Sequence, residues 1–214
     1  MSATAIALVL ASGSPRRREL LSRLGLELVV APQDVDESPV AGEPPGMHAL
    51  RVARMKAQAA VERFPGRPVL AADTVVALGD RVLGKPSDRV AAAAMIDDLA
   101  GRTHTVLTAL VLLWNGREAA HLEQARVTLA PLRPELRRWY NATGEGDDKA
   151  GAYAVQGKGA LLVDRVEGNV QAVVGLPLAA LPELFARAGL TLSAAGDGLV
   201  LAPLGGGRHQ TARE

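Results

Sequence analysis

An apolar run, Ala5 to Ala11, turns directly into Ser12-Gly13-Ser14-Pro15-Arg16-Arg17-Arg18-Glu19-Leu20-Leu21, and this junction is the feature around which the rest of the chain must be arranged. The run reads as a buried strand, and Leu20, Leu21 and Leu24 follow a helical spacing, so the two form a strand-to-helix turn. Ser14 suits the N-cap, and Pro15 suits the first helical position, where its missing N–H costs nothing. The start of a helix presents unpaired N–H groups and partial positive charge, which favour an anion such as phosphate. Arginines beside it add charge-assisted, bidentate hydrogen bonds. Taken alone, the same residues also describe a capped helix with solvated arginines.

Composition narrows the class. With 214 residues the chain is long enough for one sizeable α/β domain or two small lobes around a cleft, and 48% hydrophobic content excludes a wholly disordered protein. The 24 basic and 23 acidic residues nearly cancel, which gives no general field for gripping nucleic acid or an anionic membrane. An aromatic content of 3% offers no stacking platform for single strands. There is no cysteine, which fits a reducing compartment and leads to an expected cytoplasmic location. The first apolar run is short and lacks a basic segment before it, so it reads as a strand rather than a signal peptide or membrane span.

Further along, Leu26 to Ala31 reads as a second strand, and Pro32 to Gly46 as a proline-rich loop presenting Asp34, Asp36 and Glu37. Met47 to Phe64 has a helical pattern, with Leu50, Ala53, Ala57 and Ala60 on one side and Arg51, Arg54, Lys56 and Arg63 around the rest. Val69 to Leu78 is an apolar strand interrupted by Asp73-Thr74. A carboxylate inside such a strand is costly without a partner or a task. Gly79-Asp80 reads as a hairpin turn, and Ser87 or Asp88 as the cap of an alanine-rich helix ending at Leu99. Thr103 to Trp114 is the most β-like run, and Asn115-Gly116 signals a hairpin into Ala119 to Leu129. Pro134 opens an amphipathic helix with Leu136, Trp139 and Tyr140 as its expected buried side, followed by a glycine-punctuated loop from Gly144 to Tyr153. A last helix is expected over Leu178 to Ala188. The expected organisation is a single two-lobed domain over residues 1–189 and a tail over 190–214, its final ten or so residues mobile.

Six phrases then occur in order: Leu10-Ala11-Ser12-Gly13-Ser14-Pro15-Arg16-Arg17; Ala72-Asp73-Thr74-Val75-Val76; Leu83-Gly84-Lys85-Pro86; Gly101-Arg102-Thr103-His104; Asp148-Lys149-Ala150-Gly151-Ala152-Tyr153 with Gln156-Gly157; and Val174-Gly175-Leu176-Pro177-Leu178. Together they resemble the Maf family of nucleoside triphosphate pyrophosphatases. The resemblance implies hydrolysis between the α- and β-phosphates to a monophosphate and pyrophosphate, with a divalent metal, Mg²⁺ or Mn²⁺. It implies an α/β fold like that of the inosine triphosphate pyrophosphatases: a long mixed sheet, surrounding helices, a cleft between two lobes, and a homodimer. Within the family, Arg16, Thr74, Lys149 and Gln156 resemble the branch directed at dTTP and UTP, and the branch directed at 7-methyl-GTP differs at these places. Val170 stands where the family commonly has tyrosine, and the tail after Gly189 matches none of its phrases.

The resemblance makes Asp73 the proton acceptor. From the residue alone, a strand-end carboxylate can orient water or hold a metal, and joint action with a metal is the favoured reading because an ordinary aspartate is a weak base. Lys56 and Lys85 are expected to supply catalytic positive charge, and Ser12, Ser14, Arg16 and Arg17 to hold phosphates, while Arg18 is left to solvent. Glu37, with Asp73, is the expected metal ligand, and no Cys/His spacing suits zinc. Gln156 carries a donor and an acceptor that match O4 and N3–H of thymine or uracil, with Thr74 and Lys149 completing the choice. His48, His104 and His121 are assigned structural or surface roles. Two alternatives remain: action on 7-methyl-GTP or a broader nucleotide set, and a nucleotide-sensing regulator of septum formation with little turnover. The expected partner is a small nucleotide, with no stable nucleic acid and no membrane.

Overall fold

The computed structural model describes residues 5–204. In chain order its elements are β1 (Leu8–Leu10), α1 (Pro15–Ser22), β2 (Leu28–Val30), α2 (Pro45–Val61), β3 (Val69–Leu78), β4 (Arg81–Leu83), α3 (Arg89–Leu99), β5 (Thr103–Trp114), β6 (Arg117–Leu129), α4 (Pro134–Thr143), β7 (Val163–Gly168), α5 (Val170–Val174), α6 (Leu181–Arg187), β8 (Leu190–Ala195) and β9 (Gly198–Pro203). Local chemistry sets several boundaries. The Asp88 carboxylate accepts from the Ala91 N–H at 2.8 Å and starts α3. Asn115 and Gly116 both have positive φ, 47° and 74°, the geometry of a two-residue turn whose twist matches the paired strands β5 and β6.

Seven strands form one mixed sheet in the order β2-β1-β3-β5-β6-β7, with β4 also paired to β3. The first three strands are parallel and the remaining pairs antiparallel. On one edge, β3 pairs with β1 only through Val69 and Leu70, and with β4 only from Val76 to Leu78. The sheet therefore forks along Ala71–Val75, and the gap lies beyond the carboxyl ends of β1 and β2. Open α/β sheets commonly place ligands in such a crevice.

Alternation along β3 sends neighbours to opposite faces. Val69, Ala71, Val75 and Ala77 pack with Ala49, Ala53, Ala57 and Ala60 of α2, whose small side chains let the helix lie close to the sheet. The opposite face carries Leu70 and Ala72, packed with Leu8, Leu10, Leu21, Leu184 and Phe185. A further core beneath α3 and α4 gathers Val76, Ile96, Leu99, Val106, Tyr140, Tyr153 and Leu162, and forms the second lobe. The expected fold class, a long mixed sheet flanked by helices with a cleft between lobes, is the one observed.

Three details differ from the sequence reading. Trp139 is 43% exposed, and the inward position at the end of α4 goes to Tyr140, which is fully buried. Lys56 lies within the buried stripe of α2, beside Ala57, rather than on its solvent side. The segment after Gly189 forms the β8–β9 hairpin, with Leu190 and Leu201 in the core; Leu199 N–H donates to Leu24 O at 2.7 Å. There Gly25, at φ +77°, passes so close to Gly198 that a Cβ would lie 2.7 Å from its Cα. The expectation of a mobile end falls mainly on residues 205–214, outside the described residues. No described helix is long and apolar enough to cross a membrane.

Candidate active site

The fork in the sheet opens into a cleft of about 510 Å³ with walls from both lobes. Ser12, Ser14, Arg16 and Arg17 line it from the β1–α1 junction, Glu37 from the proline-rich loop, and Lys56 from α2. Asp73 and Thr74 form its floor, and Lys85, Asp148, Lys149 and Tyr153 face them.

Asp73 shares the sheet face of α2, and there Lys56 Nζ donates to its Oδ1 at 2.8 Å. The same ammonium lies 2.6 Å from Glu37 Oε1. Asp73 and Lys56 are both buried, at 7% and 8% exposure, and their pairing is what lets each carry its charge in an apolar layer. Burial pushes the Glu37 carboxyl upward, but its hydrogen bond and charge contact with Lys56, aided by Lys85 and Arg17, hold it below the ordinary glutamate value. Lys85 is the exposed partner: its side chain is 64% exposed and Nζ stands 3.9 Å from Glu37 Oε2. Glu37 is delivered by a tied-down loop. Arg51 forks onto Glu43 at 2.8 Å and donates to Ser38 O at 3.0 Å, and Ser38 N–H closes a turn on Asp36 Oδ1 at 2.9 Å. Asp36, adjacent to Glu37 in sequence, is a turn residue.

Thr74 faces the other way, onto Arg17. Arg17 donates from Nε to Gly175 O at 2.8 Å, from Nη1 to Ser12 Oγ at 2.9 Å and from Nη2 to Thr74 Oγ1 at 2.9 Å. Burial lowers the affinity of this guanidinium for its proton, with Asp73 and Glu37 working in the opposite direction. Three of the five N–H bonds of an arginine are thus spent on the protein, leaving one on each terminal nitrogen for a ligand. The directions beyond Arg17 follow from counting protons. Thr108 Oγ1 lies 2.7 Å from Ala172 O, a pure acceptor, and 2.7 Å from Thr74 Oγ1. Thr108 must donate to the carbonyl, so Thr74 donates to Thr108 and keeps only acceptor capacity toward the cleft. Thr108 was not picked out from sequence, although a hydroxyl within the apolar run Thr103 to Trp114 is the same signal that exposes Asp73-Thr74.

The remaining expected residues divide. Ser14 acts as the α1 cap, accepting from Arg17 N–H at 3.5 Å, and Arg16 lines the cleft. Lys149 Nζ is engaged by the loop itself, donating to Glu145 O and Asp148 Oδ1. Gln156 is exposed and lies outside the main cleft, in a small side recess it shares with Arg16, Lys149, Tyr153 and Val155. His104 Nε2 meets the Tyr153 hydroxyl at 2.7 Å, and its burial lowers the imidazole pKa to about 4. Among the described residues no three His, Cys, Asp or Glu side chains cluster as a metal cage. Glu37 and Asp73, both drawn to Lys56, are a donor set that fits a hard cation, because Mg²⁺ commonly takes one or two carboxylates and fills its remaining positions with water and substrate phosphates.

A family model described as Maf-like protein matches residues 7–188, a span that contains every residue of this cleft. The chain belongs to that family. Curated relatives named dTTP/UTP pyrophosphatase include one from Myxococcus xanthus, 50% identical over 90% of this chain and 97% of its own length. Another, from Anaeromyxobacter dehalogenans (strain 2CP-1), is 51% identical over 86% of this chain and 95% of its own length. A third, from Symbiobacterium thermophilum, is 44% identical over 89% and 98%. Among solved structures, a HAM1 protein from Coxiella burnetii overlaps with 59% of this Maf-like chain and 74% of that one, at 19% identity and a TM-score of 0.41.

Proposed function

We propose that this Maf-like chain is a nucleoside triphosphate pyrophosphatase that hydrolyses dTTP and UTP to the monophosphate and pyrophosphate. The observation that carries the reading is the ion-paired trio of Asp73, Lys56 and Glu37 on the floor of a cleft whose rim is the Ser12–Arg17 helix start. The shared name of relatives covering nearly their whole length supports the choice of reaction and substrates.

The residues divide the work by position. Arg16, Lys85, the two remaining N–H bonds of Arg17 and the start of α1 meet the negative charge of the triphosphate. Lys56 engages Oδ1 of Asp73, which leaves Oδ2 to orient a water and take its proton. The water oxygen bonds to phosphorus, the bridging P–O bond between the α- and β-phosphates breaks, and pyrophosphate leaves. Glu37 and Asp73 would hold Mg²⁺ or Mn²⁺, which supplies further charge against the phosphates. We assign the choice of base to Gln156, Lys149 and Thr74; the donor and acceptor of the Gln156 amide and the acceptor side of Thr74 support that assignment. We place the enzyme in the cytoplasm and as a homodimer; light scattering of the pure protein checks the second point, a mass near 22.3 kDa contradicting it.

The test is a nucleotide panel, dTTP, UTP, dCTP, dATP and 7-methyl-GTP with Mg²⁺, assayed separately for pyrophosphate and for orthophosphate. Pyrophosphate from dTTP and UTP is expected. Orthophosphate alone would reject the assigned bond, and preference for 7-methyl-GTP would reject the assigned base.

A further inference from the structure

The loop between α4 and β7 carries Lys149, Tyr153 and Gln156, and its shape is held by one carboxylate with no place in the chemistry above. Glu145 follows the left-handed Gly144 that ends α4. Its Oε1 accepts from Gly159 N–H at 2.7 Å and its Oε2 from Lys158 N–H at 2.9 Å. Burial raises its pKa and these two N–H bonds lower it, with a net fall below the ordinary glutamate value. Four residues before Lys158, Ala154 N–H donates to the hydroxyl of Tyr140 at 3.2 Å, and Tyr140 is fully buried in the core of the second lobe. Gln156 is thus pinned two residues away on each side, to two side chains rooted at the carboxyl end of α4.

The loop has little room to adjust. A Cβ on Gly146 would lie 1.9 Å from Ala152 O, one on Gly159 2.2 Å from Ala154 O, and one on Gly157, at φ +69°, 2.8 Å from the Glu145 carboxylate. Backbone crowds Gly146 and Gly159, and the Glu145 carboxylate crowds Gly157, so none of the three positions admits a side chain without a shift of the loop. Meanwhile Lys149 Nζ donates to the backbone carbonyl of Glu145, tying a cleft-lining residue to the same stretch of loop.

We infer that Glu145 is a positioning residue for base selection: through Lys158 and Gly159, with Tyr140 through Ala154, it sets where Gln156 stands, and it does not touch the reacting phosphates. This rests on the proposed pyrophosphatase reading and adds to it the device that makes the choice of base exacting. A site matched to one base rejects another only while its polar groups stay in register. In Glu145→Gln the side-chain NH₂ must face a backbone N–H, two donors against each other, so the brace opens without a change in size.

The experiment measures discrimination, kcat/KM for dTTP divided by that for dCTP, in the wild type, Gln156→Ala, Glu145→Gln and Tyr140→Phe, with thermal unfolding of each. Discrimination in Glu145→Gln is expected to fall on the order of tenfold, chiefly through a higher KM for dTTP, with kcat within about threefold of wild type. Tyr140→Phe keeps the buried ring and is expected to lose roughly two- to fivefold. Unchanged discrimination in a folded Glu145→Gln overturns the inference. If that variant does not fold, unchanged discrimination in Tyr140→Phe overturns it. Failure of the underlying reading is separate and visible in the controls: a wild type that releases no pyrophosphate refutes the reaction, and a Gln156→Ala that still discriminates refutes base choice by Gln156 and the inference with it.

Discussion

Asp73 and Gln156 are both side chains expected at the nucleotide, yet they are positioned by different means. Asp73 sits on a ten-residue strand paired through Val69–Ala77 with β5, and its partner Lys56 comes from a seventeen-residue helix packed on the same face. Gln156 sits in irregular backbone and is located by two N–H bonds to Glu145 and one to Tyr140. The catalytic floor inherits the stiffness of the sheet, while the base-side wall depends on a few hydrogen bonds and on glycines that crowd it. The first arrangement suits a reaction whose geometry cannot vary, and the second suits a wall that can change between relatives without disturbing the chemistry.

The largest expected effect falls on the floor. Asp73→Asn should lower kcat by about 10²–10⁴, read as pyrophosphate release from dTTP. Next, Lys56→Met removes the shared cation: kcat/KM should drop about 10²–10³, and denaturant unfolding should show a loss on the order of 3–5 kcal/mol, because two carboxylates lose their buried partner. An equal loss of activity from Gln156→Ala would break the comparison between floor and wall.

A middle-sized effect concerns His104, which supports Tyr153 in the wall. Burial drops its pKa from 6.5 to about 4, so between these values the unfolded chain binds a proton that the folded chain refuses. Stability from this group is complete above pH 6.5 and is lost as pH falls toward 4, by roughly 3 kcal/mol in all. His104→Gln should flatten that part of a stability profile measured from pH 7 to 4.5, and an unaltered slope would contradict the assignment. The smallest effect is at the exposed pair Arg54–Glu118, 2.7 Å apart on the outer surface. Arg54→Ala should cost less than about 1 kcal/mol and leave kcat/KM unchanged.

Where regular periodicity governs, the chain could be read directly. The limits of β3 and β5 match the apolar runs Val69 to Leu78 and Thr103 to Trp114, and Asp88 and Asn115-Gly116 act as cap and turn. Lys56, expected in the cleft, was grouped by periodicity with the polar side of its helix because a lysine counts as polar in any such pattern, and only a partner from another element, here Asp73, makes its burial tolerable. Trp139 and Tyr140 could not be ranked by spacing, since adjacent residues at the edge of a stripe differ by one helical step. The hairpin of β8 and β9 follows the last of the recognisable phrases, and its contact with the β1–α1 lobe is long-range. The cleft residues Ser12, Arg16, Arg17, Asp73 and Lys85 were legible from motif words. The directed bonds Arg17 to Thr74 to Thr108, and the brace from Glu145, join residues up to 57 positions apart or lie in irregular backbone, and no local pattern encodes them.

The most direct measurement of the central division is base discrimination in the Asp73→Asn enzyme, taken as kcat/KM for dTTP over dCTP. Both rates should fall together by about 10²–10⁴ and their ratio should stay within about twofold of wild type, since Asp73 acts on the water while the choice of base is assigned to Gln156, Lys149 and Thr74. A ratio shifted tenfold, or a rate within about tenfold of wild type, would contradict the account.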